Sequence, residues 1–354
     1  MNKFEERLSN LRNVLSEKGL DAFFTSFAPN VSYFLGTSGN DCSLYITKDK
    51  AYIITDFRYR EMAMQFTWLS YVETTVGFSV AAFLKNQTEK NIGIEGEHIS
   101  LADYLFLSKD DSKEFVITEG IVEGLREVKD SDEIEYTKKA CEIACKAFDH
   151  MLGLIKPGVS EIELAAELEY FMKKNGAEGT SFDTILISGT KTSLPHGVPS
   201  YDVLQEGTFV LMDYGCKYKG YCSDMTRTVA LGKPSQEMID VYNIVLEAQL
   251  ACCDQIKAGI RGCDAHKIAS DIISNAGYGE YFGHGLGHGT GLEIHESPRY
   301  SPSWNKPVKE HSIVSIEPGI YLPNKFGIRI EDLALVEKTG IINFVTAPKE
   351  LLII

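Results

Sequence analysis

The sequence lacks the features that mark membrane, secreted and nucleic-acid-binding proteins. No apolar run reaches the roughly 18 to 20 residues that a membrane-spanning helix needs. The N-terminal stretch MNKFEERLSNLRNVL has acidic residues where a secretory signal is apolar. Basic residues are outnumbered, 35 against 50 acidic ones, and the net charge of −15 counts against nucleic acid and anionic membrane surfaces as partners.

Cysteine is present but forms no recognisable pattern. The 8 cysteines include no CxxC pair, and Cys141 and Cys145 lie one helical turn apart, where thiols pack as small hydrophobic groups. We therefore expect a reduced, cytoplasmic protein without a disulfide framework.

The length of the chain indicates two domains. At 354 residues it exceeds the size at which one hydrophobic core usually stops growing. Residues 1–125 alternate helix and strand signals without a chemical motif, which predicts an N-terminal α/β domain. Within it we expect helices over residues 4–18 and 58–66 and a hairpin about Lys48 to Lys50. We expect residues 126–354 to form the second domain, in which capping boxes at Asp130–Glu133 and Ser160–Glu163 predict the starts of two helices.

The second domain contains what looks like an internal duplication. Three short segments recur in the same order at nearly constant spacing, namely IKPGV at 155–159 with IKAGI at 256–260, HGVP at 196–199 with HESP at 295–298, and MDYG at 212–215 with IEPG at 316–319. One duplicated unit accounts for all three matches. We therefore expect two α/β halves related by a pseudo-twofold axis.

Each half also contains an acidic hairpin. Asp213 and Asp224 lie symmetrically about the turn CKYKG, and Glu317 and Glu331 lie almost symmetrically about LPNKFG. Like charges that face each other across a sheet are destabilising, so two such pairs call for a compensating cation. The competing interpretation, solvated surface acids in unrelated positions, would leave both symmetries as coincidences.

A glycine-rich stretch, FGHGLGHGTGLEIHE, carries His284, His288 and His295. Glycine at this density excludes a stable helix, since each interior glycine costs about 1 kcal/mol relative to alanine. If His288 joins the four acids, the site offers one nitrogen and many oxygen ligands. Such a set suits two divalent cations, with Mn²⁺ or Co²⁺ favoured and Zn²⁺ a further candidate. A water bridging both ions would act as hydroxide, so metal-assisted hydrolysis is the expected reaction class.

Four further residues are candidates for the reaction itself. His196, His284 and His295 lie beside glycine or in the repeated H-x-x-P units, where imidazoles could stabilise an oxyanion. Arg329 lies two residues before Glu331 on the same strand, where it could orient that acid or bind a substrate carboxylate. The remaining histidines are interpreted as surface or core residues; they are His98, His150, His266 and His311.

The sequence segments around these residues resemble those of the pita-bread-fold metallopeptidases, a family that includes methionine aminopeptidase, aminopeptidase P, prolidase and creatinase. The matching segments are LPHG at 194–197, MDYG at 212–215, SDMTRT at 223–228, GHGLGHGTGLEIHE at 283–296, IEPGIY at 316–321 and GIRIED at 327–332. YITKDKAY and TDFRY resemble the additional creatinase-like domain of the Xaa-Pro branch. The resemblance spans the chain and implies a creatinase-like domain at 1–125 and a pita-bread domain at 126–354.

The resemblance also implies a ligand set. Asp213 would chelate one metal ion, and Asp224 and Glu331 would bridge both ions. His288 and Glu317 would complete the shell of the other ion. A homodimer is a further implication of the family.

Roles for the other candidates follow from the same resemblance. Glu317 would shuttle the proton of the bridging water, His284 and His295 would face the scissile carbonyl, and His196 would bind the leaving-group side. The resemblance to the Xaa-Pro branch makes an Xaa-Pro dipeptidase, or prolidase, the leading expectation. Such bonds need a dedicated enzyme, because proline lacks the backbone N–H that ordinary peptidases recognise. The alternatives are an aminopeptidase P for longer Xaa-Pro peptides, a non-peptidase hydrolase or lyase, and a peptide-binding module.

Overall fold

The structure is a computed structural model that describes residues 2–109 and 112–354. It separates into two compact units, residues 1–126 and 127–354. Both units mix helices and strands, so the prediction of a mixed α/β fold is confirmed. Among the described residues, no helix is both long and apolar enough to cross a bilayer.

The first unit is built on one mixed sheet. Its helices are α1 (Lys3–Glu17), α2 (Ala28–Leu35), α3 (Arg60–Ala63), α4 (Val80–Lys85), α5 (Leu101–Leu107) and α6 (Ile121–Arg126). Its strands are β1 (Ala22–Thr25), β2 (Ser43–Thr47), β3 (Ala51–Asp56), β4 (Ser70–Thr74), β5 (Asn91–Glu95) and β6 (Glu114–Thr118). Through the described residues the strand order is β4-β3-β2-β1-β5-β6. The predicted hairpin is β2 and β3, paired antiparallel from Ser43↔Ile54 to Ile46↔Ala51.

The segment predicted as a helix over residues 58–66 is helical but ends earlier than predicted, at Ala63. A 3₁₀ turn over Phe57–Tyr59 precedes the single helical turn of α3. Phe57 and Met64 are 69% and 66% exposed, so the segment has no continuous apolar face to bury, and a short helix depends on such a face. The sequence reading also missed α2, which begins with a proline in its first turn and ends at Gly36 with φ 73°.

The second unit contains the longer helices and most of the strands. Its helices are α7 (Ser131–Leu152), α8 (Glu161–Lys174), α9 (Gln236–Gln255) and α10 (Gly262–Asn275). Its strands are β7 (Gly179–Thr180), β8 (Ile185–Ser188), β9 (Thr208–Tyr214), β10 (Cys216–Tyr218), β11 (Tyr221–Cys222), β12 (Met225–Leu231), β13 (Gly287–Gly289), β14 (Glu296–Tyr300), β15 (Ile313–Ile316), β16 (Gly319–Leu322), β17 (Phe326–Arg329), β18 (Asp332–Glu337) and β19 (Gly340–Asn343). Capping boxes at Asp130–Glu133 and Ser160–Glu163 begin α7 and α8, as the sequence predicts.

The central strands β9 and β18 of the second unit are buried on both faces. Alternate residues of β9 point to opposite sides, with Met212 in a core that includes α7 and α8 and Phe209 in a core that includes α9 and α10. Leu333 and Ala334 of β18 divide in the same way. Strands covered on both faces read as nearly continuous apolar runs, so an acid within them must be buried too.

The first acidic hairpin has a shorter turn than the sequence suggests. Lys219 and Gly220 alone form the turn, with φ values of 52° and 81°, and Tyr218 pairs with Tyr221. This two-residue turn moves the register, so Asp213 pairs with Thr226 rather than lying opposite Asp224. The two acids are therefore diagonal neighbours.

The second acidic hairpin is interrupted at its acids. Ile316 pairs with Asp332 in one ladder and Gly319 pairs with Arg329 in the next. Pro318 cannot donate to a ladder, so the pairing stops there and resumes in the same register. Glu317 and Glu331 occupy this gap and face each other, as the symmetry about the turn predicts.

A substitution at Gly215 tests the close contact between the two strands of the first hairpin. A Cβ at this position would lie 1.8 Å from the carbonyl oxygen of Ser223, so Gly215→Ala forces the backbone apart. We expect a loss of about 3 kcal/mol or more in the free energy of unfolding, measured by urea denaturation. Gly179→Ala in neighbouring β7 is the control, because nothing lies within 4 Å of its Cβ. Equal midpoints for the two variants would contradict the close contact.

Candidate metal centre

Five side chains that the sequence singled out converge between the two acidic hairpins. Asp213 is the penultimate residue of β9, Asp224 lies between β11 and β12, and His288 lies at the centre of β13. Glu317 and Glu331 occupy the gap of the second hairpin. Donor atoms of Asp224, His288 and Glu331 all lie within 4.8 Å of one another, and the isolated bridge Thr226↔Glu331 joins the hairpins. The backbone therefore delivers all five side chains to one place.

The orientation of His288 directs one ring nitrogen at the acids. Its Nδ1 lies 3.0 Å from the carbonyl oxygen of Gly289, which requires a proton on Nδ1. In the neutral ring, Nε2 then has a free lone pair, and it lies 3.3 Å from Glu317 Oε1 and 3.6 Å from Asp224 Oδ2. A lone pair that faces two carboxylates is favourable when a cation lies between them.

The carboxylates carry strongly perturbed pKa values. Burial, followed by the repulsion of neighbouring acids, raises the pKa of Asp224 and Glu331 well above the ordinary carboxyl range. Asp213 shifts the same way, again chiefly through burial. Burial also opposes ionisation of Glu317, but in the metal-free protein a hydrogen bond from a protonated His288 ring prevails and lowers the pKa of Glu317 to about 2. Asp213, Asp224 and Glu331 therefore hold a proton more readily than ordinary carboxyl groups, and a bound cation would take the place of that proton as the neutralising charge.

Arg329 contacts a different acid from the one the sequence suggested. Its guanidinium forms an ion pair with Asp213 and donates to Thr226 Oγ1 at 3.0 Å and to Tyr321 Oη at 2.6 Å. The side chain of Glu331 instead accepts from Thr226 Oγ1 at 2.7 Å. Arg329 is 3% exposed, and these bonds account for much of its donor capacity. It is therefore placed to orient Asp213 rather than to bind a substrate carboxylate.

The three other predicted histidines surround this cluster at different depths. His284 Nε2 lies 3.0 Å from Tyr321 Oη, and burial lowers the pKa of His284. The ring of His295 stands edge-on to that of His288, with centroids 4.4 Å apart. Burial and the neighbouring His288 lower the pKa of His295 to about 4, so its imidazole is neutral at pH 7. His196 is exposed on a loop, close enough to act electrostatically on both His284 and His295.

The sequence reading missed Arg299. In the register of β13 and β14 this residue pairs with His288, and burial lowers the pKa of its half-buried guanidinium. Among the described residues, no hydrogen bond or ion pair engages it, although Glu293 and Glu317 act on it through space. The sequence signal was weak, because a bulge after His288 sets the pairing and no local pattern predicts it.

The donor set fits divalent metal ions. Oxygen ligands with one imidazole and no thiolate favour hard or intermediate cations over a structural zinc site. Asp213 Oδ1 is buried without a hydrogen-bond partner, which is the condition of a ligand atom that awaits a cation. The buried acids and the lone pair of His288 require the same compensation.

Comparison with known proteins identifies the family. The model of metallopeptidase family M24 matches residues 135–338, and that of the creatinase/prolidase N-terminal domain matches residues 7–128. The chain belongs to metallopeptidase family M24, a family of enzymes that use divalent metal ions.

Individual relatives match over nearly the whole chain. An Xaa-Pro dipeptidase from Bacillus anthracis is 42% identical, with a TM-score of 0.96 and coverage of 99% of this chain and 100% of that one. The Xaa-Pro dipeptidase of Pyrococcus furiosus is 39% identical over 98% of this chain and 100% of its own length. An X-Pro aminopeptidase from Thermotoga maritima is also 39% identical, with a TM-score of 0.89 and coverage of 96% and 99%. The relatives thus include enzymes named as dipeptidases and one named as an aminopeptidase.

The raised pKa of Asp224 predicts how pH acts on the metal-free protein. The unfolded chain loses the Asp224 proton at lower pH than the folded chain, so the free energy of unfolding should fall as pH rises above about 4. The variant Asp224→Asn has no such proton, so its free energy of unfolding should fall less steeply as pH rises. Added Mn²⁺ should stabilise the wild type near neutral pH and leave the variant unchanged.

Urea denaturation after chelator treatment, at about pH 5 and about pH 8 with and without Mn²⁺, measures both effects. Identical pH slopes for the two proteins, or equal stabilisation by Mn²⁺, would show that Asp224 neither carries the repulsion nor binds the ion.

Proposed function

We propose that this chain is a dinuclear metal-dependent Xaa-Pro dipeptidase, or prolidase, that hydrolyses the peptide bond before proline. The observation that carries the proposal is the buried convergence of Asp224, Glu331 and His288 with Glu317 and Asp213. Full-length similarity to enzymes named Xaa-Pro dipeptidase supports the substrate class. Mn²⁺ or Co²⁺ is the proposed metal, with Zn²⁺ as a further candidate.

The proposed division of the ligands between the two ions follows the resemblance to the family. Asp213 would bind one ion, Asp224 and Glu331 would bridge the pair, and His288 and Glu317 would complete the second ion's shell. When bound, two such ions polarise the substrate carbonyl and lower the pKa of a coordinated water. Family membership supports divalent metal ions as such, and their number and kind belong to the proposal.

The chain's own groups would handle the proton and the oxyanion. Glu317 has a lowered pKa in the metal-free protein, through protonated His288, and the charge of the bound cations would keep it ionised in the loaded enzyme, so it could accept the proton that the attacking water loses. His295 is neutral at pH 7 and can donate an N–H to the carbonyl oxygen as its negative charge grows. His196 would contact the leaving-group side.

His284 connects this machinery to the ligand shell. Tyr321 Oη accepts from Arg329 at 2.6 Å and lies 3.0 Å from His284 Nε2. Arg329 also pairs with Asp213. The chain of contacts therefore couples the orientation of the imidazole to that of a ligand, and Arg329 acts in it through Asp213.

Arg299 favours a dipeptide over a longer substrate. The proline of an Xaa-Pro dipeptide carries its carboxylate close to the scissile bond, so a dipeptidase needs a cation near the metal centre. Arg299 lies beside His288, and the described residues leave its guanidinium without a hydrogen bond. A guanidinium matches a carboxylate in two hydrogen bonds. In an aminopeptidase P acting on longer peptides, an amide would occupy that position.

The substrate class is tested with a small peptide panel. Ala-Pro, Ala-Ala and Ala-Pro-Ala would each be assayed with Mn²⁺, Co²⁺ and Zn²⁺ after removal of bound metal. We expect the highest kcat/KM on Ala-Pro with Mn²⁺ or Co²⁺. Cleavage of Ala-Pro-Ala alone would favour the aminopeptidase P alternative. No cleavage of any Xaa-Pro peptide would favour a non-peptidase hydrolase or lyase.

The role of Arg299 is tested by removing its charge. Arg299→Gln should raise KM for Ala-Pro by about tenfold or more, because a charge-assisted pair is lost. Hydrolysis of Ala-Pro-amide, which has no carboxylate, should change little. Arg261→Gln is the control, since Arg261 is exposed and paired with Asp264. Equal losses on the acid and the amide would mean that Arg299 does not recognise the carboxylate.

The remaining expectations form part of the same proposal. The domain division at 1–125 and 126–354, a homodimeric assembly and a cytoplasmic location are inferred from the sequence and the family. Light scattering of the purified protein, with a mass of about twice the 39.4 kDa of one chain, would establish the dimer.

A further inference from the structure

The outer side of the loop that carries His196 is exposed, whereas Thr192 on its inner side is fully buried. This segment, residues 188–200, is named the His196 loop here. Leu194 and Val198 are 53% and 73% exposed. One flank borders a cavity of about 660 Å³ that is lined in part by Lys191, Leu194 and Asn324. The exposed side of the loop therefore depends on polar contacts for its position.

One buried carboxylate accepts hydrogen bonds from both ends of the loop. Glu161, the first residue of α8, is completely buried. It accepts from the N–H and hydroxyl of Ser188 at 2.8 and 3.1 Å and from the N–H and hydroxyl of Ser200 at 3.1 and 3.2 Å. Lys191, from within the loop, completes the set as an ion pair with Glu161. A single side chain thus closes the base of the loop.

The opposite side of the loop reaches the metal centre. Thr192 Oγ1 accepts from the N–H of Gly327 at 2.9 Å. Arg329, the partner of Asp213, donates to the carbonyl of Pro195 at 3.4 Å. A shift at the base would therefore move His196 relative to the metal ligands.

We propose that Glu161 is a positioning residue, which fixes the His196 loop and thereby sets the position of His196 over the metal centre. The inference rests on the proposed function, in which His196 binds the leaving-group side of the peptide. Glu161 accepts five hydrogen bonds from the loop. Bonds to an ionised acceptor are about twice as strong as neutral ones, so the charge is what the loop depends on.

Glu161→Gln keeps the size of the side chain and removes its charge. We expect KM for Ala-Pro to rise about tenfold while kcat changes less than about threefold, because ground-state binding is what His196 supplies. Metal content should stay at the wild-type level. Glu163→Gln is the matched control, since Glu163 caps the same helix through Ser160 without touching the loop. A proportionate loss of kcat, or a metal content below that of the control, would overturn the proposal.

A double variant separates positioning from general support. If Glu161 acts through His196, then Glu161→Gln should add little to the defect of His196→Ala. If the effects of the two substitutions on KM multiply in the double variant, Glu161 acts independently of His196 and the proposal is overturned.

Amide hydrogen exchange tests the anchoring without any reaction. Exchange over residues 189–199 should be faster in Glu161→Gln than in the wild type or Glu163→Gln. Unchanged exchange would overturn the proposal whatever the kinetics. Faster exchange in a protein whose wild type cleaves no Xaa-Pro peptide would support the anchoring and reject the proposed function. Should Glu161→Gln fail to fold, Ser188→Ala removes one of the five bonds and should give a smaller effect in the same direction.

Discussion

The mutual repulsion of buried carboxylates is the constraint on which the second unit is built. Asp224 and Glu331 are 4% and 1% exposed. Burial raises the pKa of both, and neighbouring acids raise it further, Asp213 acting on Asp224 and Asp224 acting on Glu331. An isolated buried charge would be neutralised or expelled. These acids remain buried because their strands fix the position of the backbone, and because the nearby side chains of His288 and Arg329 partly offset the negative charge. Such a site stores unfavourable energy that bound cations release.

Strand geometry holds the acids against that repulsion. The gap at Glu317 and Pro318 frees the acid from the ladder, while the ladders on either side keep the register. Gly287 lets the strand of His288 approach, since a Cβ there would lie 2.0 Å from the carbonyl oxygen of Ser315. Behind Glu331, Arg227 donates to its carbonyl oxygen at 2.6 Å and pairs with buried Asp332 at 2.8 Å. Rigid strands thus place the ligands before any ion binds.

Much of this could be predicted from the sequence, and the exceptions have physical causes. The acids were found because chemistry and turn symmetry agree, and the capping boxes because their signal is local. The register of the first hairpin was wrong because Lys219 adopts positive φ, which a residue other than glycine rarely does. Arg299 was missed because a bulge after His288 determines which residue of β14 pairs with His288, and the sequence does not reveal that register. The partner of Arg329 depends on the packing of one hairpin on the other, which no local pattern encodes.

The groups that would meet the substrate are held by a different means from the ligands. His196 and His295 lie on loops, which ladders do not fix. The turn before β14 is held by Glu296, whose carboxylate accepts from the N–H of Glu293 at 3.0 Å and pairs with Lys129 at 2.9 Å. Lys129 and Glu296 are both buried, as Glu161 is beneath the other loop. Buried ion pairs add little net stability but demand one geometry. That property suits loops which must present an imidazole at a fixed point beside a rigid metal centre.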